Sequence, residues 1–142
     1  VGCPHLLRAV IRAKPLIHCF GHIHEAWGAE RVSWSDKTEN SNSSNSSSSS
    51  KLWKKQKKKA ETIQQWKDHG WESHVKSVEE INCHGEHVMQ RRAVFVDASE
   101  EGGRELKRGE QTLMLNAAIM DKDNNPVHAP FLIHLDLPIK GA

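Results

Sequence analysis

Three cysteines, Cys3, Cys19 and Cys83, are all that the 142-residue chain contains, and no two of them form a Cys-x-x-Cys pair. An odd count without close pairing argues against a disulfide framework and fits a reducing intracellular setting, with the cytoplasm as the expected compartment. Cys3 and Cys19 flank or lie in apolar segments, so packing is their expected role. No apolar run approaches the length that crosses a bilayer, and no signal-peptide pattern is visible. Charge of one sign is also lacking: 20 Lys and Arg against 18 Asp and Glu leave a net charge of +2. That balance removes a global field as a reason to bind nucleic acid or an anionic surface. Apolar residues make up 37% of the chain and concentrate at its two ends. With a mean hydropathy of −0.67, the whole length is not expected to share one core.

The interruption is visible in the composition. The run Asn40-Ser41-Asn42-Ser43-Ser44-Asn45 passes into serines up to Ser50. It has no side chains to bury and reads as a flexible linker. A basic cluster follows at Lys51, Lys54, Lys55, Lys57, Lys58 and Lys59, with Ala60, Ile63 and Trp66 at helical spacing behind it. The cluster reads either as a nucleic-acid patch or as a solvated, partly helical insert, and the near-neutral net charge favours the insert. Three segments result: residues 1–36, an insert over 37–75 in a surface loop, and residues 76–142. A long insertion in a surface loop costs little closure entropy.

Before the insert, residues 4–13 read as a helix. Pro4 suits a first helical turn. Leu6, Leu7, Val10 and Ile11 form an apolar stripe, and Arg8 and Arg12 lie on a solvated face. Pro15 stops the helix and begins a strand. That strand runs into Leu16-Ile17-His18-Cys19-Phe20-Gly21-His22-Ile23-His24-Glu25, the most informative stretch of the chain. Gly21 is expected to let the backbone turn sharply. In an extended segment His22 and His24 would face one side. Two neutral imidazoles converging beyond a strand end suit a divalent transition metal or a pair of metals. A surface turn that happens to hold two histidines is the alternative reading. Residues 26–29 read as a turn containing Trp27, and Arg31-Val32-Ser33-Trp34 as a short strand in which Trp34 packs.

After the insert, residues 68–90 carry His69, Trp71, His74, His84 and His87 and read as a loop with surface histidines. Cys83, His84 and His87 raise a zinc site, but no second close pair of ligands accompanies them. Ala93-Val94-Phe95-Val96 reads as a strand. Residues 112–119 are almost wholly apolar and read as a strand buried on both faces. Asn116 inside that run needs hydrogen-bond partners, and holding a neighbouring loop is the favoured role over a direct part in a site. Residues 121–130 are turn-rich. From Phe131 to Leu137 the pattern alternates, with Phe131, Ile133, Leu135 and Leu137 on one side and His134 and Asp136 on the other. That pair has the look of a dyad, but no nucleophile stands beside it, so a solvent-facing side is expected.

The order Gly2-Cys3-Pro4-His5-Leu6-Leu7, helix, Pro15, strand, Phe20-Gly21-His22-Ile23-His24-Glu25, then Gly28 and Glu30-Arg31-Val32 resembles the C-terminal part of the calcineurin-like metallophosphoesterases, in the metallophosphoesterase-domain-containing branch with fungal members. The likeness runs from Val1 to about Trp34 and returns over residues 112–119 and 131–138. The resemblance implies the C-terminal part of a four-layer α/β/β/α sandwich, interrupted by the low-complexity insert. It implies hydrolysis of a phosphate-ester substrate at a dinuclear centre of Mn, Fe or Zn. It makes His22 a ligand of the second metal and His24 a ligand of the first. Gly21, Glu25 and Asn116 are then adjacent to the site, Glu25 as a group behind the ligands or capping the turn. It assigns no catalytic group beyond the ligands. The family's site also needs an Asp-x-His, a Gly-Asp and a Gly-Asn-His, and this sequence contains none of them. With Val1 rather than Met at the start, the chain is expected to be the tail of a longer protein and inactive alone. The alternative is a truncated relative that has lost catalysis and serves as a binding or scaffold protein.

Overall fold

A helix on one face of a four-stranded sheet, with a two-stranded sheet on the other, is the architecture of the computed structural model, which describes residues 3–35, 71–85, 88 and 91–137. The fold class is mixed α/β, as expected. The linker and the lysine cluster lie outside the described residues. No helix among the described residues is long and apolar enough to cross a membrane.

Helix α1, Pro4–Ala13, has proline in its first turn and ends at Lys14, whose left-handed φ of 42° closes the last turn onto the Val10 carbonyl. Val10 is buried, and Leu7 and Ile11 pack beside it. Leu6 is exposed instead of joining the stripe, because the buried side runs from Val10 through Leu7 to Ile11 and Leu6 lies at its margin, beyond Val10.

Strand β1 is Ile17–Phe20, β2 Gly28–Trp34, β3 Val75–Ile81 and β5 Gln111–Asn116, in the spatial order β1-β5-β2-β3. Only the β1–β5 pair is parallel in this sheet. Along β5 the two faces separate cleanly. Leu113 and Leu115 join Ala29 of β2 in the larger core, against the second sheet. Thr112 and Met114 turn to the helix side with Val32 and Trp34. There the indole Nε1 of Trp34 donates to Thr112 Oγ1 at 2.8 Å, and Thr112 Oγ1 donates to the Pro15 carbonyl. Leu113 and Leu115 are both about 1% exposed, so each contributes about 1.5–3 kcal/mol by burial. The strand ends at Asn116, earlier than the apolar run, and Ile119 is exposed.

Strands β4, Val94–Asp97, and β6, Phe131–His134, form the parallel second sheet. Val94 and Val96 face the core with Phe131 and Ile133, whereas Phe95 and Leu132 are register partners on the exposed side. Leu135 still packs on the core, but β6 has ended by then and Leu137 is exposed.

Two strands depart from the sequence reading. β2 begins at Gly28, so the expected turn over residues 26–29 is shorter, and Trp27 is buried immediately before the strand. β3 occupies part of the expected histidine-rich loop. Its register slips opposite Ser33 and Trp34, so that Val75 pairs with Trp34 and Val78 with Val32. A bulge puts Val75 and Val78 on one face despite their odd spacing, which hides the two-residue period. Ser35 N also donates to the His74 carbonyl at 2.8 Å. Ser35 and His74 therefore meet at one end of the β2–β3 antiparallel pair.

The cysteines reverse expectation. Cys3 and Cys19 are exposed, and Cys83 is the buried one. Cys19 lies on β1, an edge strand with no strand beyond it in the sheet.

Candidate metal-binding segment

Because β1 and β5 run parallel, with Phe20 opposite Asn116, their carboxyl ends lie together. Crevices outside the carboxyl ends of parallel strands are where α/β sheets usually bind ligands. Two loops leave this edge: residues 21–27, with both candidate ligands, and residues 117–129.

The first loop does not turn as the sequence suggests. Gly21 has no left-handed φ, and a Cβ there would meet nothing within 4 Å. The left-handed residue is His22, at φ 75°. Non-glycine residues in that region carry strain on the order of 1–2 kcal/mol, and such outliers concentrate at functional sites. His22 is exposed. Ile23 is extended, and His24 opens a 3₁₀ turn, His24–Ala26. His22 and His24 therefore do not alternate along one strand as expected.

His24 is half-buried, and its Nδ1 lies 2.8 Å from the Asp121 carbonyl. A carbonyl oxygen can only accept, so the proton of the neutral ring sits on Nδ1 and the lone pair on Nε2. That is the arrangement in which metal-bound histidines are usually held. Asn116 is buried and donates from Nδ2 to the Ile23 carbonyl at 2.6 Å. It thereby holds the backbone between the two histidines, the structural role favoured for it. Glu25 is exposed on the 3₁₀ turn.

The second loop is clasped against the first. His128 Nδ1 donates to the Ala118 carbonyl at 2.9 Å, and its ring stacks on Trp27 at 4.9 Å. Trp27 also meets Phe131 and the edge of His84. Its buried Nε1 has no hydrogen-bond partner among the described residues. Asp121, Trp27 and His128 were missed in the sequence. An Asx-turn at Asp121-x-Asp123-x-Asn125 is readable there, but its contact with His24 spans 97 residues.

Among the described residues no group of three or more His, Cys, Asp or Glu side chains could hold a metal. The donor chemistry of His24 fits a divalent metal, but the two histidines alone leave its shell open. The Cys83 and His84 zinc reading gains no third ligand, and His87 lies outside the described residues; Cys83 Sγ instead donates to the Ile81 carbonyl at 3.3 Å. His134 and Asp136 do not pair. His134 Nδ1 is 3.4 Å from Asp97 Oδ1, and Asp136 accepts from the Glu100 amide. Asp97 Oδ1 also accepts from Ser99 Oγ at 2.6 Å and from the Ser99 amide. With its hydroxyl directed at Asp97 and its side chain buried, Ser99 is a turn residue and not a nucleophile.

No family model matches the chain, and no curated protein or solved structure matches it significantly.

Proposed function

We propose that this chain supplies the last metal-binding segment of a metal-dependent phosphoesterase, with His22 and His24 as ligands and the remaining ligands coming from outside the described residues. One observation carries the reading: His24 is fixed by the Asp121 carbonyl with its Nε2 lone pair available, at the paired carboxyl ends of β1 and β5. The Phe-Gly-His-Ile-His-Glu resemblance supplies the reaction class. Two cations of the Mn, Fe or Zn type would polarise the phosphate and acidify a bridging water. The layering of helix, four-stranded sheet and two-stranded sheet is compatible with three layers of an α/β/β/α sandwich, the fold this reading calls for.

A second reading, a catalytically inactive relative that binds or scaffolds, is favoured by the lack of a third ligand among the described residues. The two separate on the coding sequence upstream of Val1. In-frame Asp-x-His, Gly-Asp and Gly-Asn-His motifs support the enzyme. In a protein carrying them, Mn-dependent hydrolysis of a generic phosphodiester should be lost in His22→Ala and in His24→Ala and kept in His134→Ala. Wild-type activity in the His22/His24 double variant overturns the metal assignment. The 142-residue chain itself should bind Zn or Mn weakly and hydrolyse nothing above a metal-only control.

A further inference from the structure

Asp121 opens a compact turn. Its carboxylate Oδ1 accepts the amides of Asp123 and Asn125, each at 2.9 Å. Its own amide donates to the Asn125 carbonyl at 2.9 Å, and its carbonyl accepts the Asn124 amide at 3.1 Å. Asn124 takes the left-handed conformation that such a closed turn requires, at φ 62°. Met120 and Pro126 bridge across the base of the loop. Farther along, His128 closes the loop back onto Ala118. The Asp121 carbonyl is therefore held from several sides, and its second lone pair points to His24 Nδ1.

We propose that Asp121 is a positioning residue for His24: its side chain builds the turn that aims the Asp121 carbonyl, and that carbonyl holds His24 in the Nδ1–H tautomer with Nε2 presented to a divalent cation. The cation half of this statement rests on the function proposed above, whereas the tautomer half does not. Free imidazole side chains exchange between two tautomers, so only a fixed acceptor selects one. Partners of this kind behind a metal-binding histidine typically change affinity by about 10–100-fold when removed.

The test is long-range ¹H–¹⁵N correlation spectroscopy of the histidine rings in the 142-residue chain, at a pH where they are neutral, with and without Zn(II). Wild-type His24 should carry its proton on Nδ1, and Zn(II) should perturb Nε2. Asp121→Ala should let His24 populate the Nε2–H tautomer and weaken the Zn(II) response by about tenfold or more. Asp121→Asn keeps an oxygen acceptor for the Asp123 and Asn125 amides and should restore both readouts. His128, held by a different carbonyl, should remain Nδ1–H in every variant and reports that the loop is still folded. An Nε2–H tautomer at His24 in the wild type overturns the proposal without recourse to any variant. So does a wild-type tautomer in Asp121→Ala. The expected tautomers with no Zn(II) response at His24 or His22 would uphold the positioning role and overturn the metal reading.

Discussion

Asn116 Nδ2 on β5 reaches the carbonyl of Ile23, the residue between His22 and His24, at 2.6 Å. Its Oδ1 accepts the Ala118 amide at 3.2 Å. One buried carboxamide thus ties together the two loops that leave the carboxyl ends of β1 and β5. Asn116 is opposite Phe20 in the parallel ladder, and the Ala117 amide extends that ladder to the Phe20 carbonyl at 2.8 Å. An apolar residue at 116 would fill the site but leave both loops without this tie.

Asn116→Ala is therefore expected to destabilise the chain by about 1–3 kcal/mol, the cost of stranding buried polar partners. The denaturation midpoint should fall, and the Ala118 amide should lose protection against hydrogen exchange more than amides in β2. Unchanged exchange at Ala118 would contradict the hydrogen-bond assignment.

His22 should show a conflict between stability and function. Replacing it with glycine relieves left-handed strain of about 1–2 kcal/mol. The freer unfolded chain takes back about 0.4–1 kcal/mol. His22→Gly should be equally stable or slightly more stable than wild type in chemical denaturation, while the Zn(II) response at this segment falls. A marked loss of stability would show that the φ of 75° is not the conformation of His22 in solution.

Gly102 is required by Asp97. A Cβ on Gly102 would lie 2.5 Å from the Asp97 carboxyl carbon. That short side chain is held by Ser99 and faces His134, so it has little room to move. Gly102→Ala should displace Asp97 and cost about 1–3 kcal/mol as overpacking. The Ser99 amide resonance should shift most, and substitution of Gly103 by asparagine, which tolerates its left-handed conformation, should leave it in place.

Two loops should loosen together in acid. The Ser99 hydroxyl and amide, and more weakly His134, hold the Asp97 carboxyl below the ordinary aspartate range. The amide of Asn125, and then that of Asp123, do the same for Asp121. Each carboxylate has a folded pKa below its unfolded value of about 3.9. Its contribution is therefore complete above that value and is lost as the pH falls through the folded pKa. In a pH titration followed by amide resonances, Ser99, Asp123 and Asn125 should move below about pH 4 while the β2 and β5 amides hold. Ser99, Asp123 and Asn125 amides that stay in place through that range would contradict the assignment.

Local pattern determined a good part of this molecule. The proline-led helix with its Leu7, Val10 and Ile11 stripe, the apolar strands β1, β4 and β5, and the alternating start of β6 were all legible, because each follows from a three-to-four or two-residue period within a few neighbours. The demand that buried Asn116 find partners was legible for the same kind of reason. Tertiary structure decided the rest. β3 was hidden because a bulge opposite Trp34 breaks its period, and only pairing with β2 creates that bulge. The exposure of Cys19 follows from the edge position of β1, which is a property of strand order and not of strand composition. His134 finds Asp97 and not Asp136 because β4 and β6 pair in parallel with Asp97 opposite His134. The tautomer of His24 depends on a carbonyl 97 residues away. A backbone carbonyl leaves no trace in residue identity, so that contact exists only once the chain has brought the ends of β1 and β5 side by side.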